Sequence, residues 1–348
     1  VTVLLQESAG PATFAFGSRR IGPSAPVFVI AEIGINHEGD VAACARLVEA
    51  AARAGADAMK LQTVDPDESY APGTESHALF SRAVLSREAT AQMFDLARSL
   101  GLEAFTTPGD RISIDWVRKL DPAGYKISSG LLTTTPLVEH AARQGLPLLM
   151  STGMADISDI DAAVAVARRA GCQHIGLMQC TSLYPAPAAD LNLSSIGMLA
   201  RRFNVPIGFS DHSLGIEAAP LAVAAGAVMI EKHITLDKSK PGFDHHLSLE
   251  PDEFTAMVAA IRRAEVMLGH PGKTVGAKER ANASRYHRKL AVRHDLQAGH
   301  RLREDDIGFL RMPAESGGLD PAAFWSILGR RLKRPLTRHH AVVEDDLE

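Results

Sequence analysis

From residue 27 to residue 269 of this 348-residue chain, short apolar and β-branched runs that end in polar clusters alternate with helix patterns. The strand candidates are 27–33 (VFVIAEI), 58–64 (AMKLQTV), 102–107 (LEAFTT), 124–129 (GYKISS), 147–152 (PLLMST), 174–181 (HIGLMQCT), 206–210 (PIGFS) and 228–234 (VMIEKHI). Near-continuous apolarity is what a parallel strand covered on both faces requires. Eight alternations favour a (β/α)8 TIM barrel over an open doubly wound sheet, which would carry a glycine-rich first turn; GxGxxG and GxxxxGK[ST] are both absent.

The intervening helices carry their own start and stop signals. Asp40 can cap a helix whose Val41, Cys44, Leu47, Val48 and Ala51 form one stripe, ended by Gly55. The last helix of the series starts at Pro251, ends at Gly269, and puts Phe254, Met257, Val258, Ile261 and Leu268 on one face.

The remaining segments set the domain plan. Residues 1–26 read as an N-terminal hairpin or cap, with Thr13 to Ile21 alternating around Gly17-Ser18. The barrel is expected over 27–269, a polar, basic linker over 270–287, and a small β-rich domain over 288–348. The stretch from Asp65 to Ser81 shows no periodicity and reads as an irregular loop over the site. No repeat is visible beyond the strand–helix alternation.

Composition narrows the partners. A net charge of −4 argues against nucleic acid or an anionic membrane, and no apolar run is long enough to span a bilayer. The opening VTVLLQESAG has no basic region and no signal-peptide core. Three cysteines, Cys44, Cys172 and Cys180, without CxxC spacing suit a reducing cytoplasm. Cys180 reads as a small buried residue rather than a nucleophile.

Barrel chemistry gathers at the C-terminal strand ends. Those ends carry Glu32, Lys60 with Gln62, Thr106-Thr107, Lys126 with Ser128-Ser129, Ser151-Thr152, Gln179 to Thr181, Ser210 to His212, and Glu231 with His233. Two lysines at positions that face a barrel interior, ringed by hydroxyls, point to a bound phosphate or carboxylate. The alternative is a salt bridge to Glu32 or Asp211. Any one hydroxyl could equally satisfy local backbone.

Along a strand, side chains repeat every second residue, so Ser210 shares a face with His212, and Glu231 with His233. A single histidine is ordinarily structural. A pair on neighbouring strand ends reads as ligands of a divalent metal with open positions, hence catalytic. The basic run 330–338 (RRLKRPLTR) reads as a solvated face.

The same residues carry a resemblance. IAEIGINHEGD (30–40), GADAMKLQT (55–63), YKISSG (125–130), STGM (151–154), CTSLYPAP (180–187), GFSDHSLG (208–215), IEKHITLD (230–237) and PGFDHHLSLEPDEF (241–254) resemble the sialic acid (nonulosonic acid) synthase family. The resemblance implies a phosphoenolpyruvate-binding barrel followed by an antifreeze-like (SAF) domain, in a cytoplasmic, domain-swapped homodimer. It implies His212 and His233 as ligands of Mn2+, with Mg2+ or Co2+ as alternatives. It places Lys60, Gln62, Thr107, Lys126, Ser129, Ser151 and Ser210 around phosphoenolpyruvate, and Glu32, Tyr184 and Asp244 at the sugar. Arg311, in RMPAESGG, is the residue offered to the partner's sugar site, although the family's run there is RPGxG.

The implied reaction condenses phosphoenolpyruvate with an N-acetylated hexosamine and releases phosphate, and Glu32, reaching the same pocket, is the candidate for proton transfer or water orientation. Where the family often has Glu, Asn, an aromatic residue and Asn, this chain has Leu131, Ser182, Gly109 and Thr74. Fewer hydrogen-bonding groups make a 2,4-diacetamido-6-deoxy hexose an alternative to N-acetylmannosamine. A 3-deoxy-ulosonate synthase acting on an aldose phosphate, a pyruvate aldolase, and a non-catalytic carbohydrate-binding protein are the competing readings.

Overall fold

The computed structural model describes residues 13–270 and 272–348; the reading of VTVLLQESAG lies outside the described residues. It divides into two compact units, one ending at Gly269 and one running from His270 to Glu348.

Eight strands close the expected barrel. They are β3 (Phe28–Gly34), β4 (Ala58–Thr63), β5 (Glu103–Pro108), β6 (Tyr125–Ile127), β7 (Leu148–Ser151), β8 (Ile175–Cys180), β9 (Ile207–Asp211) and β10 (Met229–His233). All neighbours are parallel, and β10 pairs with both β9 and β3, which closes the ring. An antiparallel hairpin, β1 (Phe14–Phe16) and β2 (Arg19–Ile21), precedes it.

The pleat sorts the side chains into two shells. Outward residues such as Val29, Ala31, Ile33, Met59 and Leu61 are fully buried against the surrounding helices. Inward residues change character along each strand. Near the N-terminal ends, Phe28, Ile30, Ala58, Phe105, Leu149, Met178 and Met229 cluster with Phe14, Phe16 and Ile21 of the hairpin. The Phe16 ring meets Phe28 and Phe105 edge-on at 5.5 and 5.0 Å between centroids. One or two inward positions further along stand Glu32, Lys60, Thr107, Lys126, Ser151, Ser210 and Glu231. An apolar plug thus closes one end of the barrel interior and a charged layer floors the other.

Helix termini follow their sequence signals. The Asp40 carboxylate accepts from the N–H groups of Ala42 and Ala43 at 2.8 and 3.1 Å and starts helix Val41–Arg53. Gly55, at φ +84°, ends its turn. Helix Pro251–Leu268 stops at Gly269.

Two expectations are overturned. The stretch 65–81 is largely helical, with Pro66–Ser69 capped by Asp65 and Glu75–Ala83 capped by Thr74. These helices lack an apolar stripe because only Ala83 among their residues is buried; Tyr70 and Phe80 instead stack on each other at 5.0 Å. The second unit, moreover, contains a repeat. His300 bonds Asp306, and forty positions later His340 bonds Asp346, at 2.7 and 3.1 Å. Each aspartate also accepts a backbone N–H three residues back, from Arg303 and Val343.

The second unit has one two-stranded antiparallel sheet, β11 (Lys289–Val292) with β12 (Ile307–Leu310). Its core is Leu290, Val292, Leu296, Leu302, Ile307, Ile327, Leu332, Leu336, Val342 and Leu347. A helix, Ala277–Tyr286, occupies the segment read as a linker. The basic run after Arg330 is tied down within this unit, Arg330 to Glu344 at 2.7 Å and Arg334 to Asp346 at 2.6 Å. Among the described residues, no helix is long and apolar enough to cross a membrane.

Candidate active site

A cavity of about 480 Å³ opens at the C-terminal strand ends. Glu32, Lys60, Gln62, Thr107, Lys126, Ser129, Ser151, Tyr184, Ser210, His212 and His233 all line it, together with Glu231, which sequence reasoning had left out of the site. Asp244 stands beside it, its Oδ2 3.6 Å from His233 Nδ1. Arg311 belongs to the second unit, where its guanidinium lies over the Tyr286 ring at 5.2 Å.

The floor is a buried charge network. Lys60 Nζ lies 2.5 Å from Glu32 Oε2 and 3.7 Å from Glu231 Oε2, and donates to Thr107 Oγ1 at 2.8 Å. Lys126 Nζ donates to both Glu231 oxygens, at 2.9 and 3.2 Å. Ser210 Oγ donates to Glu231 Oε1 at 2.8 Å, and Gln62 Nε2 to Glu32 Oε1 at 3.1 Å. Both lysines therefore have carboxylate partners. That of Lys126 is Glu231 rather than Asp211, which pairs with Lys232 instead. The signal for Glu231 was its parity with His233 on β10.

The two carboxyls titrate apart. Burial raises the Glu32 pKa, Lys60 pulls it back, and the Glu231 charge adds to the rise. Burial also acts on Glu231, but Lys126 and Lys60 outweigh it and hold that group as a carboxylate. Pairs driven apart in this way divide acid and base roles, and Glu32 is the more easily protonated of the two.

The hydroxyls separate by parity. Ser151 Oγ is buried, lines the cavity and has no hydrogen-bond partner. Ser129 Oγ accepts from the Gly153 N–H at 3.0 Å. Thr106 points outward and bonds the Leu61 carbonyl at 2.9 Å, and Thr152 bonds the Met178 carbonyl at 3.0 Å, so both serve local backbone.

The histidines sit together as their parity predicts, with ring centroids 5.5 Å apart. Tyr184 stacks on His212 at 4.1 Å. Nδ1 of His212 faces the Thr181 carbonyl at 2.9 Å. A carbonyl only accepts, so Nδ1 carries a hydrogen, and in the neutral ring Nε2 is the nitrogen that holds the lone pair. Burial opposes an imidazolium at His212, but Cys180 Sγ, 3.8 Å from Nδ1, and the Thr181 carbonyl favour it, and its pKa is raised. His233 is neutral: burial lowers its pKa to about 4 despite Asp244, and its Nδ1 is buried without a partner. Among the described residues, no group of three His, Cys, Asp or Glu side chains is placed to cage a metal ion. The cysteines are all buried and unpaired, and Cys180 lines the cavity.

The rim is apolar on one side, where Val64, Tyr70, Phe80, Leu131 and Met154 line the cavity. Gly109 lies beneath it, and a Cβ there would come within 2.6 Å of Val64 Cγ1 and 2.9 Å of Ser69 Oγ. The missing side chain lets the helix before Tyr70 pack close.

A closed parallel eight-stranded barrel ringed by helices, with its polar side chains gathered at the C-terminal strand ends, is a TIM barrel, a fold whose enzymes work at that end. The chain belongs to the NeuB family of nonulosonic acid synthases: that family's sequence model matches residues 47–273, and the SAF domain model matches 287–348. It is 36% identical to the N,N'-diacetyllegionaminic acid synthase of Legionella pneumophila, covering 95% of this chain and 98% of that one. It is 33% identical to the pseudaminic acid synthase of Campylobacter jejuni, covering 92% and 96%. The crystal structure of the N-acetylneuraminic acid (sialic acid) synthetase from Leptospira borgpetersenii superposes with a TM-score of 0.75 at 34% identity, covering 78% of this chain and 95% of that one.

Proposed function

We propose that this protein condenses phosphoenolpyruvate with the open-chain form of an N-acetylated hexosamine, giving a nonulosonic acid and inorganic phosphate. The observation that carries the reading is a single cavity holding two buried lysines, a partnerless buried hydroxyl at Ser151 and a facing imidazole pair. Lys60, Lys126, Thr107, Ser129, Ser151 and Ser210 hold the phosphate and carboxylate, which need several charged and hydroxyl donors.

C3 of phosphoenolpyruvate forms the new bond to the aldehyde carbon. Water adds at C2, and the C–O bond to phosphate breaks. Glu32, in contact with Lys60, gives the proton that the new hydroxyl takes up and recovers one from the water that adds at C2, while the remaining proton of that water leaves with phosphate.

The imidazoles fit a divalent metal of the Mn2+ type. With its Nδ1 hydrogen on the Thr181 carbonyl, a neutral His212 offers Nε2 as a ligand, His233 is neutral with a nitrogen that makes no hydrogen bond, and both line the space the acceptor would enter. Such an ion would supply Lewis acidity toward the acceptor's carbonyl oxygen. Tyr184 and Asp244 stand on the sugar side. Arg311 serves the acceptor site of a second copy in a homodimer, and the protein works in the cytoplasm.

For the acceptor, Leu131 and the aromatic rim favour a methyl-bearing 2,4-diacetamido-6-deoxy hexose over N-acetylmannosamine, because a hydroxyl facing leucine goes unpaired. Phosphate release with Mn2+ and phosphoenolpyruvate across a panel of N-acetylated hexoses, with a chelated control, tests the reading. No release across the panel from folded protein would overturn it.

A further inference from the structure

The pleat that turns Ser210, His212, Glu231 and His233 inward turns Asp211 and Lys232 outward, behind them. These two are partners in the β9–β10 register, and their side chains are wholly buried outside the barrel. Lys232 Nζ lies 3.0 Å from Asp211 Oδ2 and also donates to the Ser213 carbonyl. Asp211 Oδ1 accepts from Ser213 N at 2.8 Å and Ser213 Oγ at 2.6 Å. His212 is thus clamped on both sides in sequence. Its own carbonyl takes the Ala186 N–H at 2.9 Å, and its Nδ1 is held by Thr181.

A buried ion pair is a poor device for stability, since apolar residues of similar volume do as well or better. Its value here lies in direction. Asp211 precedes one imidazole and Lys232 precedes the other, so a single salt bridge fixes both strand ends and the turn that follows His212.

We propose that Asp211 and Lys232 are positioning residues that hold the His212 and His233 rings at the spacing a divalent cation needs. The inference rests on the reading of the histidines as a metal site. Groups that orient a metal ligand from outside commonly change metal affinity ten- to hundred-fold without touching the ion; Asp211 and Lys232 would do so through the backbone of the residues they adjoin.

The test is Mn2+ titration of the full chain by electron paramagnetic resonance, alongside thermal unfolding and phosphoenolpyruvate binding. Asp211→Val/Lys232→Met removes both charges together. The expected result is unfolding within a few degrees of the parent, unchanged phosphoenolpyruvate affinity and Mn2+ affinity ten- to hundred-fold weaker. A folded double variant with parental Mn2+ affinity overturns the inference while leaving the synthase reading intact. Absence of Mn2+ binding in the parent overturns the metal reading and this inference with it. Should the double variant not fold, Ser213→Ala, which removes only the hydroxyl bond to Asp211, decides: a several-fold loss of Mn2+ affinity supports the clamp, and no loss overturns it.

Discussion

Lys126 and Glu231 form a salt bridge straight across the barrel. They belong to β6 and β10, four strands apart in the ring of eight, yet their charged atoms lie 2.9 Å apart. With Glu32 on Lys60, the floor holds two cations matched by two carboxyl groups. An anion bound at Lys126 would have to compete with Glu231 for it.

Glu231→Gln should separate binding from stability. Losing one partner of a buried pair costs about 3–5 kcal/mol, so the denaturation midpoint should fall. The freed lysine should bind phosphoenolpyruvate more tightly, and the anion should restore part of the lost stability by mass action. Calorimetric titration and denaturant unfolding read both quantities. Unchanged or weaker anion affinity would show that Glu231 does not compete for Lys126.

Glu32→Gln keeps an acceptor oxygen for Gln62 but removes the titratable carboxyl whose pKa burial raises. Turnover should fall by roughly 10²–10⁴, with phosphoenolpyruvate binding and Mn2+ binding retained. A parental rate of phosphate release would remove Glu32 from proton transfer.

The barrel is legible because each strand is buried on both faces and so reads as an uninterrupted apolar run, and the pairing of His212 with His233 follows from parity on adjacent strands. Glu231 was harder. Parity put it on the inner face, but its partner is 105 residues away across the ring, a separation no local pattern encodes. Thr106 and Thr107 show the converse, because only the strand's phase says which hydroxyl faces the cavity. The helices at 66–69 and 75–83 had cap signals at Asp65 and Thr74, but they cover a cavity rather than a core and so lack a stripe. The repeat in the second unit was present as EDD at 304–306 and 344–346. Leu296/Leu336 and His300/His340 also recur, but most of the residues between them differ, which hid it.

Gly109→Ala tests the apolar rim. A methyl group there meets Val64 Cγ1 and Ser69 Oγ inside van der Waals distance, and a β-carbon on a strand end cannot move aside. The methyl group pushes on Val64 and on Ser69, whose helix leads directly into Tyr70 and its stacked Phe80. Overpacking of this kind costs about 1–3 kcal/mol. The acceptor KM should rise several-fold while the phosphoenolpyruvate KM stays put, because the lysines and hydroxyls of the floor are untouched. Equal changes in both constants would mean that the 65–83 segment does not contact the acceptor.

His37 should make the barrel acid-sensitive in a defined window. It is buried, its Nδ1 accepts the Gly39 N–H at 3.1 Å, and burial lowers its pKa to about 4 from an ordinary 6.5 despite Asp40 and Glu38 nearby. Between those values the unfolded chain binds a proton that the native state refuses, so stability rises with pH there and is lost as pH falls toward 4. At about 1.4 kcal/mol per pH unit, this one group should remove on the order of 3 kcal/mol between pH 6.5 and 4. Urea unfolding at stepped pH should show that slope in the parent and a shallower one in His37→Gln, which cannot take up the proton. Identical slopes would mean that His37 protonates as readily in the native barrel as in the unfolded chain, and that its buried Nδ1 acceptor bond to Gly39 does not hold it neutral.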